Sequence, residues 1–381
     1  MMEISSGNDG QMNGAVIMEQ FQYSSQQLLL QTPQPDDFKN TELSTFDRLL
    51  RSKWDAAVEL GCFRYRIDEL QTKILPGPRK IVAQLNIKRA IERRKPQKMT
   101  HISQPFNPDI FNFTKVNPKE VLFELCPERD TSDSVTDETP LCNGVTESQH
   151  HSVLINVSPL EYCNILLVPK RYQCIPQVLT EDAILLALEA VLLSAHRGFI
   201  LGFNSLCAMA SVNHQHFHGY YLEHELLIRR TATRPVIGPC HELTDWPVRG
   251  FVFQVKGQTV QETARSVYKV ASVLQQKEIA HNLFITRGCA LDDDSQIQEQ
   301  TVRLVLWPRK SFFGAKNDKT FPEVAFNVAL CELAGHLPIY SKESFDELTE
   351  EKAIERTREV SLSSEEFEAL KDSVRSVFQK W

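Results

Sequence analysis

The sequence predicts an α+β protein. Short strand-like runs recur along most of the chain, fewer amphipathic stretches are suited to lie over one face of a sheet, and no strict short repeat is visible. At 381 residues the length suggests two domains or one two-lobed unit.

The elements follow in order. Residues 1 to about 42 are rich in Gln, Ser, Asn and Gly without an apolar period, and are expected to form a disordered tail. Ser44 then opens an amphipathic helix carrying Phe46, Leu49, Leu50, Trp54, Ala57, Val58 and Leu60, stopped by Gly61. Two strand-like runs, Phe63 to Leu75 and Lys80 to Ile87, flank Pro76-Gly77-Pro78. A basic stretch from Lys88 to Lys98 reads either as a solvated face or as a rim that attracts a phosphorylated substrate. Cys126 to His151 is polar and acidic, as in a flexible surface loop. Strands are expected at Val153 to Val157 and at Ile165 to Val168. Thr180 caps a helix running to about Ala195, and further strands lie near Phe199 to Phe203 and Asn213 to Leu222. Pro235 to Arg249 reads as a linker. Beyond it come strands at Phe251 to Val255, Asn282 to Ile285 and Val302 to Trp307. The remaining helices are expected at Gln261 to Gln276, Pro322 to Ala334, Lys342 to Thr357 and Ser363 to Lys380.

Composition excludes some classes. The 42 Lys and Arg against 49 Asp and Glu leave a net charge of -7, which argues against broad nucleic-acid binding but allows a local basic pocket. Nine loosely spaced cysteines without a Cys-x-x-Cys fit reduced thiols in a cytoplasmic protein. No Lys or Arg precedes Lys39, which argues against a secretory or transit peptide, and Met at position 2 offers no myristoylation site. The longest apolar run, Ala183 to Ala195, is too short for a bilayer.

The most informative stretch is Ser211-Val212-Asn213-His214-Gln215-His216-Phe217-His218. On a strand, histidines at i, i+2 and i+4 share a face. Such imidazoles could share a zinc ion. They could instead serve phosphorus chemistry, with a neutral imidazole as nucleophile and its neighbours orienting it. They could also be structural. Gly202-Phe203-Asn204-Ser205 and Ser211 supply amide and hydroxyl groups that suit a phosphate better than zinc.

These residues resemble the histidine-triad superfamily of nucleotidyl transferases and hydrolases. Further stretches narrow the likeness: Phe63-Arg64-Tyr65-Arg66, Val82 to Asn86, Phe111 to Lys115, Ile155 to Glu161, Ala280 to Phe284 and Asn327 to His336. Together, over about residues 46 to 340, they are similar to the family of animal GDP-D-glucose phosphorylases, relatives of the plant GDP-L-galactose phosphorylases. The resemblance implies a histidine-triad-like antiparallel sheet with helices on one face. It also implies two related halves within one chain, residues 43–234 with the histidines and residues 235–381 completing the site. The implied reaction converts GDP-D-glucose and inorganic phosphate into GDP and glucose 1-phosphate, without metal or other cofactor. His216 would be the nucleophile that becomes guanylylated. His214 and His218 would orient it and stabilise phosphoryl charge, Ser211 would contact phosphate, and Asn204 would lie near ribose and phosphate. A hydrolase of the same superfamily, a non-catalytic guanine-nucleotide sensor and a metal enzyme are the competing readings.

The sequence departs from the family pattern at two places. Cys163-Asn164 replaces a Gly-His pair, which is expected to change packing beneath the site, and Gln215 replaces an apolar residue that should face away from the imidazoles. Arg309, with Lys310, is a candidate to hold the incoming phosphate, and Lys115 is a candidate at the nucleotide. His281 and His336 are expected to be structural, and His150-His151 exposed.

Overall fold

In this computed structural model, residues 18–31, 38, 42–67, 70–128, 150–291, 300–315 and 325–380 are described. In chain order, β1 (Gln20–Tyr23) precedes α1 (Thr45–Glu59), β2 (Thr72–Ile74), β3 (Val82–Leu85), α2 (Ile87–Ile91) and β4 (Lys98–Met99). There follow β5 (Val121–Pro127), β6 (His151–Ile155), β7 (Ile165–Val168), α3 (Glu181–Leu193), β8 (Phe199–Asn204) and β9 (Phe217–Tyr221). Next are β10 (Thr233–Ile237), β11 (Cys240–Leu243), β12 (Phe251–Gln254), α4 (Val260–Gln276), β13 (Ala280–Cys289), β14 (Gln300–Arg309) and β15 (Gly314–Ala315). The chain closes with α5 (Leu330–Leu333), β16 (His336–Ile339), α6 (Lys342–Glu347), α7 (Glu350–Arg358) and α8 (Ser364–Gln379).

Among the described residues, eleven strands form one sheet in the order β1-β5-β6-β7-β9-β8-β13-β14-β12-β11-β10. All pairings are antiparallel except β1 with β5. Strands β1 to β9 in the sheet and strands β10 to β14 meet at the β8–β13 pair, where Asn204 faces Asn282. The period of two divides the strand residues between faces. Leu201, Phe203, Leu283, Ile285, Leu304 and Leu306 pack into a core with residues of α1, α3, α4 and α8. Ile200, Phe284, Val305 and Trp307 belong to a second core with residues of β3, β16 and α5 to α7. Helices therefore cover both faces, which corrects the one-face expectation; the short α5, α6 and α7 lack the long apolar period that marks the others.

Local chemistry explains the main helices. Ser44 and Asp47 form a capping box on α1, Thr259 and Glu262 one on α4, and Ser363 and Glu366 one on α8. Thr180 caps α3 by accepting from the Ala183 amide at 3.2 Å. Gly61 ends the first helix region with φ +67°, a conformation glycine adopts without strain.

Several expectations are corrected. The tail was expected to be disordered to residue 42, yet β1 pairs with β5 and buries Tyr23; its two aromatics, Phe21 and Tyr23, alternate within a polar context. The first of the two early strand runs shortens to β2. The stretch from Pro235 to Arg249 is no plain linker, since β10 continues through Pro235 and turns at Gly238, φ +49°, into β11. Pro235 fits there because β10 is an edge strand. The helix expected from Pro322 shrinks to α5, and the one expected at Lys342 to Thr357 breaks at Thr349, which caps α7. His151 is buried in β6 rather than exposed. Residues 129–149 of the expected acidic loop and 322–324 lie outside the described residues. No helix among the described residues is long and apolar enough to cross a membrane.

Candidate active site

A cleft of about 1020 Å³, mouth included, opens on the β3/β16 side of the large sheet. His216, His218, Asn204 and Ser211 all line it. Its apolar wall is Phe113, Val116, Leu154, Leu166 and Val212, and its cationic wall is Arg89, Arg93 and Arg94. The far side is the segment Ala329 to Glu332 with Tyr340.

The histidine segment is not a continuous strand. Only His218 lies in β9, and His214 and His216 lie on the irregular approach to it. The ring centroids of His216 and His218 are 5.1 Å apart. Phe113 packs on His214 at 5.4 Å and on His216 at 4.9 Å, so one aromatic ring braces both. His214 sits behind the cleft wall, where its Nδ1 accepts from the Phe113 amide at 3.1 Å. His216 is buried, and its Nδ1 lies 2.7 Å from the carbonyl oxygen of His214. A carbonyl only accepts, so Nδ1 carries the proton and Nε2 keeps a lone pair. Burial lowers the pKa of His216 to about 4, opposed by that hydrogen bond, and burial with the neighbouring His216 lowers His214 to about 3. Both imidazoles are neutral near pH 7, as a nitrogen nucleophile requires.

The wall opposite is fixed by Asn204. Its Oδ1 accepts from Asn282 Nδ2 at 2.6 Å and from the Leu330 amide at 3.1 Å. Gly202 matters because of close approach: a Cβ there would stand 2.7 Å from the Leu283 carbonyl oxygen and 2.9 Å from Leu330 Cδ1. Leu330 can therefore settle over β8 only above a glycine. This anchoring explains why the residues before α5 are not helical. The Leu330 amide is taken by Asn204, the Ala329 amide by Glu332 Oε2 at 2.8 Å, and the Val328 carbonyl by Arg309.

Arg89 and Arg93 come from α2 and the turn after it. Arg89 also donates to the Ser158 carbonyl. Burial lowers the pKa of Arg93, and the positive charge of Arg89 lowers it further, so two cations converge on one cavity wall. Arg94 is engaged by Glu120 at 3.2 Å and stacks 3.9 Å over Phe111. Paired cations of this kind favour a phosphate ligand.

Family models described as GDPGP1-like, N-terminal domain, and GDPGP1-like, C-terminal domain, match residues 45–220 and 236–381. The chain belongs to the GDP-D-glucose phosphorylase 1-like family. It is 43% identical to GDP-D-glucose phosphorylase 1 of Xenopus laevis over 351 residues, covering 86% of this chain and 87% of that protein. The Danio rerio protein of that name is 45% identical over 338 residues, covering 88% and 92%. The fold is similar to that of yeast Ap4A phosphorylase Apa2 in complex with Ap4A, with a TM-score of 0.54 at 14% identity over 84% of this chain and 98% of that one.

Stretches that carry the family likeness converge on one turn beside the cleft. The Pro159 carbonyl accepts from Tyr65 at 2.5 Å and from Asn86 at 3.3 Å. The departure at Cys163-Asn164 lies directly beneath. Cys163 is buried at φ +57°, a left-handed conformation that glycine adopts without strain and a cysteine seldom does. Asn164 accepts from Asn156 Nδ2 at 3.0 Å and from the Leu160 amide at 3.1 Å, and donates to the Gly219 carbonyl at 2.9 Å. It thus ties the cleft turn to the strand bearing His218. Gln215 donates to the Val178 carbonyl at 2.7 Å, in the segment that leads into α3.

Two sequence candidates are not brought to the cleft of this family member. Lys115 donates to the carbonyls of Pro108, Asp109 and Ile110 at 2.5, 3.1 and 3.0 Å, so it holds a loop. Arg309 is fully buried behind Asn282, donating to the Val328 carbonyl and reaching Asn282 Oδ1 at 3.4 Å. His336 is structural: its Nε2 is 2.5 Å from Gln84 Oε1 and its Nδ1 3.1 Å from the Tyr220 hydroxyl. Sequence reasoning missed Glu332, Tyr340 and Asn156, which also line the cleft. The basic stretch was the available signal for Arg89 and Arg93.

Proposed function

We propose that this protein phosphorolyses GDP-D-glucose through a guanylyl-histidine at His216. The carrying observation is the His216–His214 hydrogen bond, which leaves Nε2 unprotonated toward the cleft. Nε2 attacks the α-phosphorus; a P–N bond forms, and the bond to the bridging oxygen breaks with its electron pair on glucose 1-phosphate. Inorganic phosphate then attacks the same phosphorus, the P–N bond breaks, and GDP leaves. Splitting one displacement into two lowers each barrier. His218, beside the nucleophile, donates to a phosphoryl oxygen, and Ser211 and Asn204 hold the α-phosphate and ribose. Arg89 and Arg93 receive the departing sugar phosphate and then the incoming phosphate, both anions of the same chemistry.

The test is intact mass after brief exposure to GDP-D-glucose without phosphate. One guanylyl addition is expected on the wild type and none on His216→Asn, and added phosphate should discharge it as GDP. A wild-type protein that turns over without ever carrying the addition would refute the reading.

A further inference from the structure

The β8–β9 ladder runs from Phe199↔Tyr221 to Gly202↔His218 and then stops. Two residues further in the same register, Asn204 would face His216. At that level the side-chain amide of Gln177 is inserted between the two chains. Its Nε2 donates to the Asn204 carbonyl at 2.9 Å and to the His216 carbonyl at 3.1 Å, while its Oε1 accepts from the His216 amide at 2.8 Å. Both donor hydrogens and the acceptor are used, and the side chain is fully buried. The main-chain amide of Gln177 donates to Asn213 Oδ1 at 2.9 Å, and the Gln215 amide donates to the Ile175 carbonyl at 2.8 Å, which pins Gln177 from its own segment.

We infer that Gln177 is a positioning residue for nucleophilic attack, a side-chain spacer that sets the separation between His216 and the Asn204 wall. The inference rests on His216 being the nucleophile. Direct strand pairing would bring the two backbones to ladder spacing. The amide spacer instead holds them apart while coupling them through one rigid planar group. Reaction rate depends steeply on such distances, with roughly 100-fold lost per ångström of misplacement. A purely structural bond would affect stability and nucleotide affinity without selectively changing the chemical step.

Gln177→Glu separates these roles. It keeps the shape and the oxygen that accepts from the His216 amide, but turns a second oxygen toward two carbonyl oxygens. Burial beside carbonyls favours the protonated carboxyl, which restores one donor. The other titratable groups on the packed segments, His214, His216 and His281, are held neutral by burial, and the Arg171 guanidinium lies near His214. The three rings stay neutral between pH 6 and 8.

The experiment measures single-turnover guanylylation of full-length protein at pH 6 and pH 8, with GDP affinity alongside. Gln177→Glu is expected to be slowed about 10- to 100-fold at pH 8, to recover substantially at pH 6, and to bind GDP within about twofold of wild type. A pH 8 rate within threefold of wild type, or an equal loss at both pH values, would overturn the inference. Should that variant not fold, Gln177→Asn keeps the amide but shortens its reach. It is expected to guanylylate at least tenfold slower with unchanged GDP affinity, and a wild-type rate would overturn the inference. A wild-type protein that accepts no nucleotide defeats the nucleophile reading itself; labelling that is normal in both variants defeats only the role of Gln177.

Discussion

His216 donates its Nδ1 hydrogen to the main-chain carbonyl of His214, two residues away, at 2.7 Å. The motif thus sets the tautomer of its central ring with its own backbone, and Nε2, the nucleophile proposed above, is the nitrogen left facing the cleft. Burial lowers that ring's pKa to about 4. Guanylylation by the wild-type protein should therefore be flat in rate from pH 5 to pH 8, with the acid limb near 4. Rapid-quench measurement across this range checks it; an inflection near the ordinary histidine value of 6.5 would show that the ring is not held neutral.

Arg93 and Lys115 should separate cleanly. Arg93 lines the cleft beside Arg89, whereas Lys115 bonds three loop carbonyls. Arg93→Ala should raise the KM for phosphate by about tenfold or more, the equivalent of one charge-assisted hydrogen bond. Lys115→Ala should leave it within twofold and show instead a small loss of thermal stability. Initial rates at varied phosphate concentration decide between them.

Arg309 belongs to the support beneath Asn204 rather than to the phosphate site. Its guanidinium serves the Val328 carbonyl and Asn282, and Asn282 in turn holds Asn204. Arg309→Met leaves these buried groups short of a donor, so the unfolding free energy should fall by about 2–4 kcal/mol. Protein that remains folded should keep its phosphate KM within a few-fold. A large rise in KM without loss of stability would return Arg309 to the substrate.

How far the sequence could be read follows from where the information sits. Capped amphipathic helices are written in contiguous residues, so Ser44, Thr180 and Ser363 marked their starts. The alternate histidines likewise declared a shared environment, and Asn204 and Ser211 lay near enough in sequence to be joined to them. Other features depend on chain segments meeting from afar. Gln177 is nearly forty residues from His216, and its importance comes from a ladder that stops two residues short of Asn204 and His216. Arg309 looked like a free cation because β14 was expected to end at Trp307; two more residues of strand carry it into the interior. The segment before α5 looked helical by composition, but Asn204 and Arg309 claim its backbone groups.

Acid stability follows from the same buried rings. Burial lowers the pKa of His196, His216 and His281 to about 4, and of His214 and His336 to about 3. In the unfolded chain these groups titrate near 6.5. Between that value and the folded values the unfolded state binds more protons, so stability is complete above about pH 6.5 and lost as pH falls toward 3–4. The slope is at most about 1.4 kcal/mol per pH unit for each histidine. Asp55, Glu124 and Glu161, raised by burial, act in the opposite sense as pH falls through their raised values. His224, also lowered by burial, joins the histidine side, and six histidines against three carboxyls give a net loss. Urea midpoints at pH 7.5, 6.5, 5.5 and 5 should be level across the first two and then fall, with protons taken up on unfolding; a midpoint unchanged down to pH 5 would mean that these rings are not kept neutral by the fold.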